Sequence, residues 1–157
     1  MKTKNKTIRQ PRLRADRVRA LIQFFGKAMK NKRIAKRINL NTFCEPNFQN
    51  EDLPVEMFAK PECNTPACVA GWTVLHFGDK RVKQKKADCI DYVGVAYKAL
   101  GIDYAAPGAD DIFTGTTRFN ANDPLEARDR LARLLVKNEL PLYGPVAKIP
   151  AWGIGDE

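Results

Sequence analysis

Residues 63–78 read Cys63-Asn64-Thr65-Pro66-Ala67-Cys68-Val69-Ala70-Gly71-Trp72-Thr73-Val74-Leu75-His76-Phe77-Gly78. Thr65 is a residue type that caps free helix amides, and Pro66 suits a first helical position, so the stretch predicts a helix from there to about Phe77. Gly78 is its expected stop. The helix is apolar nearly all round, which marks it as central and buried rather than lying on a surface. Small residues at Cys68, Ala70 and Gly71 would let a neighbouring helix approach, and Trp72 would fill the next layer.

Outward from this centre the periodicity stays helical. Val18, Leu21, Ile22, Phe25 and Met29 form one stripe of a helix beginning near Leu13 or Ala15. Basic residues sit mostly off that stripe and are expected to face outward. Ile34 and Ile38 suit a short second turn, and Val55–Ala59 another. Asp79–Lys86 reads as an exposed basic loop. A helix over Ala87–Leu100 follows, with Gly94 available for close packing and Gly101 as its stop. A short element covers Ala109–Phe113. Asp123-Pro124-Leu125-Glu126 opens a last helix to about Val136 with a capping-box signature. Its Arg128, Arg130 and Arg133 are expected around the outside. The proline- and glycine-rich end reads as an extended, docked tail anchored by Tyr143 and Trp152. No alternating strand pattern occurs. The expected fold is mainly α, a small compact helical domain with irregular connections and a basic N-terminal arm.

Charge supplies the functional signal. The chain has 157 residues, 27 Lys+Arg and 18 Asp+Glu. Residues 1–37 hold 14 of the basic residues and one acidic residue, Asp16, leaving 13 and 17 for residues 38–157. The two segments therefore carry +13 and −4, and divide into a basic arm with an amphipathic helix (1–37) and a helical body with its tail (38–157). Focused positive charge attracts polyanions. Arg9, Arg12, Arg14, Arg17, Arg19, Lys27, Lys30, Lys32, Arg33, Lys36 and Arg37 are the expected phosphate contacts. Such contacts set affinity and orientation without reading sequence. Nucleic acid, RNA or DNA, is the expected partner, with a place in a larger assembly compatible with it. The alternative is a structural or inhibitory protein that binds an acidic protein partner, with the Val18–Met29 stripe as a detachable interaction helix.

No segment approaches the length of an apolar membrane span, and no apolar core follows Lys2, Lys4 and Lys6. These features predict neither membrane association nor secretion, but a cytoplasmic protein of a bacterial or phage-infected cell. Cys44, Cys63, Cys68 and Cys89 are expected as reduced thiols. An enzyme is the weakest reading. A thiol at a helix start can be activated, but His76 stands two turns, about 12 Å, from Cys68. The spacing of Cys63, Cys68, His76 and Cys89 lacks the second close pair of a zinc site. Asp110-Asp111 and Asp88-x-x-Asp91 are weak carboxylate pairs for a cation. No phosphate loop, dinucleotide turn, zinc-protease pair or nucleophile elbow is present. No catalytic, cofactor-binding or metal-ligating set is expected.

The run Cys63-x-Thr65-x-Ala67-Cys68-Val69-Ala70-Gly71-Trp72 resembles a C-G-T-x-x-C-x-A-G-[WH]-A motif. That motif belongs to a loose group of small uncharacterised proteins of bacteria and bacteriophages. Asn39-Leu40-Asn41-Thr42-Phe43, Ala96–Ile102 and Ile112-Phe113 are similar to further stretches of the group, so the likeness covers about residues 39–140. Asn64 stands where the group has glycine and Thr73 where it has alanine. The resemblance implies a phage-type origin and a compact helical domain, and carries no mechanism.

Overall fold

Apolar residues spaced three and four apart on several short helices must bury one stripe each, and the described segments do so around a shared core. The computed structural model describes residues 12–40, 53–59, 67–113 and 123–149. Its helices are α1 (Ala15–Ala28), α2 (Lys32–Ala35), α3 (Val69–Phe77), α4 (Lys80–Lys83), α5 (Tyr92–Leu100), α6 (Ala109–Ile112) and α7 (Pro124–Lys137). Single 3-10 turns cover Val55–Ala59 and Ala87–Cys89. Among the described residues there are no strands, only isolated bridges pairing Ile38 with Ala67 and Pro54 with Lys86. The protein is mainly α.

The stripe of α1 is buried. Val18, Leu21, Phe25 and Ala28 are fully buried and face α7, whose Leu131, Leu134 and Leu135 are buried as well. Each of the valine, leucine and phenylalanine side chains contributes about 1.5–3 kcal/mol of hydrophobic stabilisation. α1 therefore belongs to the same core as the rest of the chain, and its stripe, expected to be available to a partner, is covered by α7. Met29, expected on the stripe, lies beyond the helix and is 45% exposed.

α3 is the central element, with every residue from Val69 to His76 buried. It packs on α5. It begins three residues later than expected. Ala67 is held in extended pairing, its N–H donating to the Arg37 carbonyl (2.9 Å) and its carbonyl accepting from Asn39 N–H (3.0 Å). Its backbone groups are therefore spent outside any helix. Cys68 is the N-terminal flanking residue, and Thr65-Pro66 lies outside the described residues.

The helix expected over 87–100 is shorter, because Asp91 caps it at Gly94 N–H (3.0 Å). Gly94 makes room for that carboxylate, which a Cβ would strike, rather than for another helix. Gly101 ends α5 in the left-handed conformation (φ +65°), as expected. The loop expected at 79–86 contains a helical turn, α4, because Asp79 Oδ1 accepts from Val82 N–H at 2.9 Å. α7 starts as expected, Asp123 accepting from Leu125 N–H at 2.9 Å. Arg130 was expected outside. It is buried, with Nε 3.1 Å from Glu126 Oε1 one turn earlier.

The tail after α7 docks on α1, but not through Tyr143, which is 89% exposed. Arg19 holds it instead. Its Nε and Nη2 donate to the Pro141 carbonyl (3.1 and 2.9 Å) and its Nη1 to that of Pro145 (3.2 Å). Gly144 lies so close that a Cβ there would come within 2.9 Å of the guanidinium. Ala147 N–H adds a bond to the Asp16 carbonyl (2.9 Å). Trp152 lies outside the described residues.

Candidate nucleic-acid interface

The eleven basic residues expected at phosphates divide by what their side chains touch. Arg9 lies outside the described residues. Arg12 is exposed. Arg14 is exposed and paired with Asp16 at 3.1 Å, a contact that raises the arginine and holds the carboxyl below its usual range. Arg17 reaches back to α5. Its Nη1 donates to the Ala99 carbonyl at 2.6 Å, and its guanidinium stands 5.2 Å from the Phe77 ring centroid. Cation and helix C-terminus attract there, while partial burial lowers the arginine pKa.

Arg19 and Arg37 do not face outward. Each is 7% exposed. Arg19 is occupied by the tail carbonyls. Arg37 lies over Trp72, its Cζ 5.1 Å from the ring centroid, and its own carbonyl accepts the indole N–H at 3.3 Å. Both are corrected from phosphate contacts to residues that hold the fold. Arginine has a long apolar stem and five donors, so it is buried wherever free carbonyls or a ring face meet it.

Lys27, Lys30, Lys32, Arg33 and Lys36 are exposed. Among the described residues none of them is ion-paired. Their presentation has a local cause. Asn31 accepts from Arg33 N–H (3.0 Å) and Ile34 N–H (3.4 Å), starting α2 straight after α1. Buried Ile34 and Ile38 then pin that short helix inward, which turns Lys32, Arg33 and Lys36 to solvent. A second exposed basic group, Lys80, Arg81, Lys85 and Lys86, lies on and after α4. The sequence shows that run plainly, but charge summed over the N-terminal segment draws the eye elsewhere.

Several of the residues considered for catalysis have structural surroundings. Cys68 is buried, and burial pushes its thiol up despite the nearby amides of Gly71 and Ala70. Cys68 and Cys89 are free thiols, and Cys44 and Cys63 lie outside the described residues. His76 is 5% exposed among Phe24, Trp72 and Phe77. Burial, then the charges of Lys83 and Arg37, lower its pKa to about 3. Asp111 pairs with Arg133 at 3.1 Å, and Asp91 caps α5. Among the described residues no three His, Cys, Asp or Glu side chains converge as metal ligands. No helix among them is long and apolar enough to cross a membrane.

No protein-family model, curated protein or solved structure matches this chain.

Proposed function

We propose that the protein is a non-enzymatic nucleic-acid-binding accessory protein whose primary contact surface is the run from Lys27 to Lys36. One observation carries the reading. Five cations are exposed within ten residues that contain no acidic side chain, and they are held on a helix end and a capped turn. Side chains placed in this way meet phosphates without paying to break existing ion pairs, and each contact releases condensed counterions. Nothing in this surface offers a pattern for reading base edges, so affinity rather than sequence preference is its expected contribution.

The test replaces Lys27, Lys30, Lys32, Arg33 and Lys36 by glutamine. These residues are exposed, so the unfolding midpoint should stay near that of the parent. Labelled DNA and RNA are titrated at several salt concentrations. If all five contact duplex phosphates, the log–log salt slope of the parent exceeds that of the variant by roughly 4 to 5. Equal affinities and a flat salt response would overturn the reading.

A further inference from the structure

We infer that the nucleic-acid surface has a second half on α4, and that its ligand is an extended phosphodiester chain lying across α2 and α4 rather than a single phosphate group. The inference rests on the reading of the Lys27–Lys36 run as a nucleic-acid contact.

Residues 79–86 contain five cations and one acid, Asp79. That carboxylate is committed to the start of α4, at Val82 N–H. Lys80, Arg81, Lys85 and Lys86 are exposed, whereas Lys83 is drawn partly inward and lies near Glu56. The end of the run is fixed in place. Val55 N–H donates to the Lys85 carbonyl at 2.8 Å, and Pro54 bridges to Lys86. The cations are therefore displayed on ordered backbone rather than on a loose loop.

α3 and its buried rings lie between this group and α2. Arg37, directly after Lys36, covers the Trp72 ring. Trp72 is stacked with His76, centroids 5.6 Å apart and 24° between planes, one turn further along α3. α3 ends at Phe77 and α4 begins at Lys80. Arg37 and Lys83 are the two cations whose charge reaches His76. The basic end of α2 thus lies at the start of α3, where Arg37 and Asn39 pair with Ala67, and α4 follows the other end of the same helix. One phosphate cannot meet side chains on two helices set apart by a helical turn and two stacked rings. A chain of phosphates can, and its charge is what a double cationic surface attracts.

Two triple variants of the full chain separate the halves: Lys32→Gln, Arg33→Gln, Lys36→Gln on α2, and Lys80→Gln, Arg81→Gln, Lys85→Gln on α4. Each is titrated against labelled single strands and duplexes of about 20 nucleotides, and against a trinucleotide, over a salt series. The expected result is that each variant loses on the order of tenfold in affinity for the longer ligands, and about 2 to 3 in salt slope. The trinucleotide should bind the α4 variant and the parent alike. An α4 variant indistinguishable from the parent, beside an α2 variant that loses affinity, would overturn this inference and leave the proposed function standing. Failure of the parent to bind any of the oligonucleotides would remove the proposed function and this inference with it.

Discussion

Arg19 gives two of its N–H groups to one carbonyl, that of Pro141, at 3.1 and 2.9 Å. A third goes to Pro145, so one guanidinium from the first helix closes the last described segment onto the core. Arg19→Met keeps the apolar stem and deletes every one of these bonds. Hydrogen bonds from a charged donor contribute about 1.5–3 kcal/mol, and the variant should lose stability on that scale. Hydrogen exchange is the sharper measurement. The Ala147 amide, bonded to the Asp16 carbonyl, should lose protection while amides in α3 follow only the global change. Unchanged protection at Ala147 would mean that the tail is held by other contacts.

His76 predicts a stability that depends on acidity. Its folded pKa, about 3, lies below the ordinary 6.5, so the folded protein holds the imidazole neutral. The unfolded chain takes up the proton as pH falls through about 6.5, and the folded chain does so only near 3. The contribution is complete above 6.5 and is lost as pH falls toward 3, at up to about 1.4 kcal/mol per pH unit. Replacing His76 by phenylalanine keeps an aromatic ring against Phe24 and Trp72 and removes the titration. Denaturant midpoints between pH 7 and 4 should fall less steeply for this variant than for the parent. Parallel curves would refute the assignment.

Trp72 joins three groups: its ring meets Phe24 at 4.8 Å and Arg37 at 5.1 Å, and its N–H bonds the Arg37 carbonyl. Trp72→Ala should cost about 3–5 kcal/mol through lost burial and a cavity. Gly71 is buried beside it, and Gly71→Leu should cost about 1–3 kcal/mol by overpacking. Urea unfolding reports both. Native-like midpoints with impaired nucleic-acid binding would instead make this stretch a contact surface.

Gly26 offers the opposite sign. It lies inside α1, and a Cβ built there meets nothing within 4 Å. Gly26→Ala should therefore stabilise by roughly 0.5–1 kcal/mol, by reducing the freedom of the unfolded chain and improving helix propensity. Thermal unfolding should show a raised midpoint, and a lowered one would point to a packing constraint at that position.

The sequence is informative where structure has local causes. Asp123-Pro124 starts α7 and Gly101 stops α5 because cap and turn chemistry act within a few residues. The start of α3 is hidden, because Ala67 is claimed by Arg37 and Asn39, roughly thirty positions away in the chain. The same distinction runs through the basic residues. Lys32, Arg33 and Lys36 are exposed because their own short helix turns them out. Arg17, Arg19 and Arg37 are taken by the Ala99 carbonyl, the tail carbonyls and the Trp72 ring, and only tertiary structure supplies those partners. A net charge summed over a segment counts all of them equally. Arg130 repeats the lesson in reverse, since its partner Glu126 is four residues away and could have been paired on sight.

The packing of α1 against α7 also fixes an order of events during synthesis. The apolar stripe of α1 leaves the ribosome early, but the leucines that cover it, Leu131, Leu134 and Leu135, are translated more than a hundred residues later. At about 5–20 residues per second that is an interval of roughly 5 to 20 seconds during which Val18, Leu21 and Phe25 lack their cover from α7. The nascent chain must carry this apolar stripe without its α7 cover until α7 emerges.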